Sequence, residues 1–398
     1  MDNKVVAVVG GGAAGFFFAI NYKALHSVDD VTIYEQGKTV LNKVRISGGG
    51  RCNVTHACFD PGDLVHYYPR GRKELIGPFH RWSCGDTVGW FEERGVPLKI
   101  EADGRMFPVS DRSESIINCF IEEANRMGIK IVKQCKVSID SLKDRRLTLS
   151  KGASINPDVL FLAPGSSKFI WNVLKANGVE IVEPVPSLFT FNIKDPRIKG
   201  LAGISFNDVE VVSEYGSYQS RGPLLITHWG LSAPSILKLS SVEARLLSAA
   251  HYSFKISVDF LPDLNPDDVQ DLIIKQGGKK LGDKNPFGLP KRYWRKLIEV
   301  AGINSEGRWA DLKKEERSLI LESLKACTFQ VKGKSTFKEE FVSAGGIDLK
   351  EVDFRSFGLK RYPGVYAAGE VLNIDAMTGG FNFQAAWTGG YIAAINAS

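Results

Sequence analysis

Three glycines and one acid carry the clearest chemical signal. Gly10, Gly12 and Gly15 form a Gly-x-Gly-x-x-Gly array, and Glu35 follows about twenty residues past the last of them. Such an array suits a dinucleotide. The first glycine permits a tight turn, the second lets a pyrophosphate approach the backbone, and the third lets a helix pack closely on a strand. Glu35 can accept a hydrogen bond from a ribose hydroxyl, and its charge would repel a 2′-phosphate. The array also needs elements to hold it, and the surrounding text supplies them. Val5–Val9 is a β-branched strand, Phe16–Leu25 reads as a helix, and Val31–Tyr34 is a second strand ending at the acid. The start of the helix, at Ala13 and Ala14, would offer unpaired N–H groups and a positive dipole end to the phosphates.

The far end of the chain bears on which dinucleotide is meant. Gly364–Ala368 is a short strand running into Gly369 and Glu370, and Met377-Thr378-Gly379-Gly380-Phe381-Asn382 opens a helix. FAD is long, and its flavin end lies far from the first glycine turn. A late strand whose terminal acid takes the ribityl chain, followed by a helix aimed at the flavin pyrimidine, would stabilise negative charge on the reduced ring. An NAD dehydrogenase has no need of this element. The bland alternative is a surface turn and a helix start.

A third stretch, Lys43 to His56, follows the acid closely and should run beside the dinucleotide. It contains Ser47, Gly48, Gly49, Gly50, Arg51, Cys52 and Asn53. Consecutive glycines let backbone approach a flat ring or a phosphate, and Lys43 and Arg51 can neutralise phosphate. The alternative is a flexible surface loop.

Size and composition bound the rest. The chain has 398 residues, 43% hydrophobic and 24% charged, with a formal net charge of +6. These values suit a soluble globular protein of two or three domains. The six cysteines are scattered without a C-x-x-C and read as reduced cytosolic thiols. No Cys/His cluster has zinc spacing, no apolar run reaches membrane-span length, and neither a repeat nor a signal peptide is evident. A cytoplasmic protein is expected.

Residues 1–186 alternate strand and helix, including a helix over Ser113–Met127, a hairpin over Val137–Leu149 and a buried strand Asp158–Ala163. From Ser187 the text becomes short strands and turns, as in a β-barrel or sandwich. Residues 264–327 read as charged helices. Pro266 begins one, Tyr293, Leu297 and Val300 form the stripe of a second, and Asp311 caps a third that carries Leu319, Ile320 and Leu324. Residues 328–343 are strand-like again, and 344–398 close the nucleotide domain. The expected architecture is α/β, with a discontinuous FAD domain (1–186 and 344–398) interrupted by a β-rich domain (187–263 and 328–343) that carries a helical insert.

Five motifs in order resemble a known family: Ser47–Asn53 (SGGGRCN), Gly104–Pro108 (GRMFP), Thr227–Ser232 (THWGLS), Ala344–Ile347 (AGGI), and Ala368 through Asn382. The chain is similar over nearly its whole length to the HI0933-like flavoproteins, the BaiN/RdsA family of NAD(P)/FAD-dependent oxidoreductases. The resemblance implies a two-dinucleotide-binding FAD domain of the glutathione-reductase type with an inserted β-barrel and helical bundle. Roles proposed in the family include bile-acid reduction, aminoacetone oxidation and dihydrouridine formation in ribosomal RNA, so the substrate could be a small molecule or rRNA. The resemblance extends the expected cofactor set to Gln36, Val137, Ala163 and Gly165. The chain departs from the family at Pro164, where a threonine is usual, and at His56, where many relatives carry asparagine.

Flavin would supply the redox chemistry. No second Gly-x-Gly-x-x-Gly lies mid-chain, so NAD(P)H would dock transiently, or oxygen would serve as the redox partner. Cys52 and Cys58 invite a dithiol reading, although C-x5-C is unusual spacing and Cys52 reads better as a packing residue. His228 is the candidate acid/base, and Arg105 is a candidate for an anionic substrate or a plain salt bridge. The basic aromatic run Lys291–Lys296 could touch RNA through phosphates and stacking, or be the solvated face of a helix. A flavin-bearing redox sensor or RNA-binding protein without turnover is the rival from another class. No stable protein partner is indicated.

Overall fold

The computed structural model describes residues 3–150, 152–335 and 342–397. The chain divides into two compact units, residues 1–185 with 338–398, and residues 186–337.

The first unit is built on a seven-stranded sheet. Strand β1 (Val5–Val9) leads into helix α1 (Ala13–Leu25) and back to β2 (Asp30–Tyr34). β3 (Lys130–Val132), β4 (Val159–Leu162) and β5 (Val365–Ala367) join in parallel, in the order β5-β4-β1-β2-β3. Val8 is paired with Phe161 on one side and Ile33 on the other. Two short antiparallel strands, Val352–Asp353 and Gly358–Leu359, complete the β5 edge. β1 and β4 are apolar runs rather than alternating ones, the pattern of strands buried on both faces. β4 is buried at every residue, and β1 at all but Val5.

α1 is wedged rather than laid on a surface. Phe16, Phe17 and Phe18 are all fully buried. Phe18 stacks on Phe161 of β4 at 4.0 Å, while Phe17 meets Trp82, Trp90 and Trp387. Trp387 lies on α2 (Phe381–Asn396), which packs along α1. That close approach depends on glycine. A Cβ at Gly390 would sit 3.0 Å from the Ala14 carbonyl oxygen and 3.2 Å from the Phe18 nitrogen, and one at Gly389 would sit 2.7 Å from the Ala368 Cβ.

The second unit is a closed antiparallel barrel in the order Thr190–Ile193, Gly230–Ser232, Gln219–Ile226, Ser205–Ser213, Ser253–Asp259, Cys327–Ser335. Alternation along Ser253–Asp259 and Cys327–Ser335 points Phe254, Ile256, Val258, Cys327, Phe329 and Val331 inward. The strand-like character of 328–343 holds over Cys327–Ser335 and Val342–Ile347, while residues 336–341 lie outside the described residues.

Three helices, Pro266–Ile274, Lys291–Val300 and Lys314–Lys325, lie between the last two barrel strands. Three expected details change. The stripe of the second helix is Tyr293, Trp294, Leu297 and Ile298, with Val300 exposed. In the third, Ile320 and Leu324 are buried but Leu319 is not. Asp311 does not cap that third helix. It closes a 3-10 turn, Trp309–Asp311, and pairs with Arg308 at 2.9 Å. Glu316 instead accepts the Lys313 backbone N–H at 2.8 Å, so the helix starts two residues later.

Gly390→Leu should overpack the α1–α2 contact and lower unfolding stability by about 1–3 kcal/mol, read as a reduced urea midpoint at unchanged slope. An unchanged midpoint would mean that the two helices do not need glycine to approach.

Candidate functional site

The candidate site is built where β1, β4 and β5 end, the edge at which open α/β sheets bind ligands. Each glycine of the first turn answers to a different neighbour. A Cβ on Gly10 would strike the Ala163 carbonyl oxygen at 2.1 Å, and one on Gly15 would strike the Gly10 carbonyl oxygen at 2.1 Å. These two glycines are required by the fold itself. Gly12 is not, because its φ is −97° and a Cβ there would meet nothing within 4 Å. The space in front of Gly12 is a cradle that a side chain would fill.

Gly12 is also the N-cap of α1, with no side-chain cap and no acid in the first turn. Backbone donors at Ala13 and Ala14 therefore keep their unspent hydrogen bonds and the positive end of the dipole. Glu35 stands beside them. Its carboxylate accepts the N–H of Gly11 at 2.9 Å and of Gly37 at 2.6 Å, which fixes its direction and leaves further lone pairs. Gln36 is exposed. The segment leading to Val137 is drawn alongside, since Cys135 N–H donates to the Glu35 carbonyl and Gln134 N–H to that of Gly37. Val137 itself is buried.

The C-terminal motif reaches the same edge. Gly369 has φ +78°, and a Cβ there would lie 3.4 Å from the Ala14 Cβ. Glu370 pairs with Lys43 and lies beside Gly165, whose φ is +63°. Pro164 has no N–H to offer, but the strand keeps its ladder through Ala163 N–H to Val9.

The two glycine-rich segments from opposite ends of the sequence meet directly. With its amide turned to satisfy every neighbour, Asn53 donates to the carbonyls of Met106 and Thr55 and accepts the Gly380 N–H at 3.0 Å. Thr55 hydroxyl bonds Gln384 at 2.6 Å, and Trp387 Nε1 donates to the Val54 carbonyl at 2.9 Å. Gly380 caps α2 without a side-chain bond at φ +91°. A side chain there would strike Thr55 and Asn53, so this glycine is held by packing before any ligand is considered. Gly379 is also strained for other residues, at φ +140°. The Asn42–Gly50 segment is not the plain loop expected from its glycines. It is helical at its start and broken where Ser47 turns extended and Gly48 and Gly49 adopt left-handed angles. Cβ atoms on Gly49 and Gly50 would meet nothing.

Several expected roles change. Arg51 stacks on Phe107 at 3.9 Å and pairs with Glu101 at 2.5 Å, so its charge is already balanced by the protein. Lys43 is likewise engaged by Glu370. Both cations therefore already have carboxylate partners within the protein. Arg105 pairs with Asp103 at 2.7 Å and Glu101 at 3.2 Å, which is the plain salt-bridge alternative. Asn382 spends both ends of its amide on the Ala376 backbone. The Phe381 ring is buried and stacks on Tyr67 at 4.1 Å and His56 at 4.6 Å. Cys52 is fully buried, and burial pushes its thiol up to about 12, which removes it as a thiolate nucleophile. His228, in the barrel unit, is exposed on the Thr227–Gly230 turn, where Thr227 accepts the Gly230 N–H at 3.1 Å.

Sequence reasoning missed the Asn53–Gly380 bond, the Lys43–Glu370 pair, and the support from Thr55, Gln384 and Tyr67. Each joins residues more than three hundred positions apart or acts through burial, so spacing carries no trace of it. One signal was available: Gln384 and Thr388, four residues apart, put two polar side chains on one face of a largely apolar helix.

The residues present fit a long dinucleotide. Gly12 leaves room for a diphosphate, two uncapped helix N-termini open in the same unit, and the Asn53–Gly380 bond fixes backbone from both chain ends at one place. Gly12→Ala should leave unfolding stability within about 1 kcal/mol, because the methyl group meets no protein atom. The same change should weaken dinucleotide affinity at least tenfold. Unchanged affinity, measured by flavin titration, would detach Gly12 from the ligand.

The thiols give a second test. Cys58 alone is partly exposed, and the other five are buried. At pH 8 the native protein should react with a disulfide reagent at no more than one thiol, against all six after denaturation. Two fast native thiols would restore the dithiol reading.

The family described as HI0933-like protein Rossmann domain matches residues 4–396. A ribosomal RNA dihydrouridine synthase from Escherichia coli (strain K12) is 25% identical over 99% of this chain and 98% of its own. A 3-dehydro-bile acid delta(4,6)-reductase from Clostridium scindens is 25% identical over 98% of this chain and 97% of its own. Among solved structures, a 3-ketosteroid-delta4-(5alpha)-dehydrogenase from Rhodococcus jostii RHA1 superposes with a TM-score of 0.53 at 14% identity, covering 99% of this chain and 96% of that one, and so shares the fold. No helix among the described residues is long and apolar enough to cross a membrane. The chain belongs to the HI0933-like Rossmann-domain family of FAD-dependent oxidoreductases.

Proposed function

We propose that this chain holds FAD at the β1–β4–β5 edge and reduces a carbon–carbon double bond conjugated to a carbonyl, with NAD(P)H as the electron donor. The observation that carries the reading is the open cradle at Gly12, set against an uncapped helix N-terminus with no acid in its first turn. Backbone N–H groups of Ala13 and Ala14 would hold the diphosphate. Glu35, already oriented by Gly11 and Gly37, would accept from the adenosine ribose. Glu370, paired with Lys43, would accept from the ribityl hydroxyls. The α2 N-terminus and the Gly48–Asn53 backbone would line the ring.

FAD, once bound and reduced by NAD(P)H, would supply a hydride from N5. The substrate class follows from what two relatives have in common. Uridine reduction to dihydrouridine and reduction of a 3-oxo-Δ4,6 bile acid are one type of reaction. A hydride adds to the β-carbon of a double bond conjugated to a carbonyl, and a proton adds to the α-carbon. His228 is the residue we assign to that proton, supported by its exposed position on a turn fixed by Thr227. Arg105 is left out of the reacting set because Asp103 and Glu101 hold it.

Anaerobic mixing tests the reading. NADH or NADPH should bleach the flavin of the purified protein. A 3-oxo-Δ4 steroid, or uridine-containing ribosomal RNA from cells lacking the protein, should then restore the colour with one product formed per flavin reoxidised. Restoration by oxygen alone, with every conjugated acceptor inert, would make the protein an oxidase and overturn the assignment.

A further inference from the structure

The barrel unit carries a concentration of positive charge that the proposed redox chemistry does not use. Between residues 275 and 296 there are eight lysines and arginines against one acid, Asp283, a net of +7 compared with +6 for the whole chain. The fold gathers part of this charge on one side of the helix Lys291–Val300. Tyr293, Trp294, Leu297 and Ile298 are buried, which turns Lys291, Arg292 and Arg295 outward. The preceding loop is tied to that helix. Trp294 Nε1 donates to the Leu281 carbonyl at 2.7 Å, and Arg295 Nε donates to the Gly282 carbonyl at 3.1 Å. Lys284, two residues beyond Gly282, is exposed next to this anchor.

These cations differ from their neighbours in what they touch. Lys280 and Lys296 pair with Glu306 and Glu299, each at 3.0 Å. Lys284, Lys291 and Arg292 have no ion pair within 4 Å among the described residues, and Arg295 feels the Glu306 carboxylate only at longer range. Arg292 and Arg295 each give one N–H to a backbone carbonyl, of Gly200 at 3.1 Å and Gly282 at 3.1 Å, which holds the guanidinium against the surface with other donors still free. Positioned, unneutralised guanidinium groups beside ammonium groups are suited to a chain of phosphates.

We propose that this face, centred on Lys284, Arg292 and Arg295, docks the phosphate backbone of RNA. The proposal rests on the reading that a nucleobase is within the substrate class, and it narrows that reading to a base presented in a polymer. The chemistry disfavours a membrane. An interfacial helix needs a free apolar face, and the apolar face of this helix is spent in the core of its own unit. It also removes base stacking, since Tyr293 and Trp294 are fully buried. The contact is therefore to phosphates. It positions the RNA and carries no sequence information.

The test uses the FAD-bound protein and a labelled 30-nucleotide RNA hairpin, titrated from 50 to 200 mM NaCl. The wild type should bind, with log affinity falling linearly in log salt. K284E/R292E/R295E should lose at least tenfold at 50 mM NaCl, and the slope should flatten by about 2–3, with flavin content and the rate of flavin reduction by NAD(P)H unchanged. If the triple variant does not fold, Arg292→Gln and Arg295→Gln should each lose two- to fivefold with a flatter slope. Equal affinity and slope in folded variants would overturn the proposal. So would tighter binding to vesicles containing anionic phosphatidylserine than to the hairpin. A protein that binds RNA through this face but whose flavin NAD(P)H cannot reduce would refute the reductase reading and leave the docking face standing.

Discussion

The architecture depends on a polarity constraint at the end of β1. α1 begins against a strand buried on all sides, and its first N–H groups are capped by no side chain of the protein. Leaving backbone donors without partners at the edge of a sheet costs free energy unless water or a ligand satisfies them. The rest of the first unit keeps that edge open. Gly10 and Gly15 bring strand, turn and helix close enough to hold the donors still. Glu35 is turned by two backbone N–H groups. The neighbouring cations Lys43 and Arg51 are neutralised by Glu370 and Glu101 instead of being left to compete for the anion.

The same constraint recurs at the other end of the chain. α2 also begins on a glycine with no side-chain cap, and it packs on α1 through Gly390. Asn53 is the tie between them and the glycine-rich segment, because its amide joins the Gly380 N–H to the carbonyls of Met106 and Thr55. A dinucleotide long enough to run from the Gly12 cradle toward Gly380 would follow backbone supplied by both termini. The three glycine-rich segments all belong to the first unit, outside the barrel.

Much of this was legible in the sequence, for a physical reason. Gly10, Gly12 and Gly15 act through local backbone geometry, and local geometry is written in adjacent residues. The parallel order of β1, β2 and β4 follows from apolar runs broken by glycine and helix, and the barrel from short alternating strands. Interactions joining distant residues were less visible. Nothing near Arg51 in sequence announces Glu101, and nothing near Asn53 announces Gly380. The helix stripe at Tyr293 does not include Val300, because the buried face is centred between Tyr293–Leu297 and Trp294–Ile298, which leaves Val300 beyond its edge. Trp294 and Ile298 took the core side. Asp311 has the right chemistry for a cap, but the chain turns once more before Lys314, and Glu316 does that work.

The central claim is that one continuous site in the first unit holds a complete FAD. It is tested most directly by calorimetric titration of the flavin-stripped protein with FAD, FMN and NAD. The account predicts one FAD per chain, bound at least a hundredfold more tightly than either FMN, which lacks the adenosine that Glu35 would hold, or NAD, which lacks the flavin that the Asn53–Gly380 region would line. FMN binding as tightly as FAD would contradict it, because the Gly12 cradle and Glu35 would then contribute nothing to cofactor affinity.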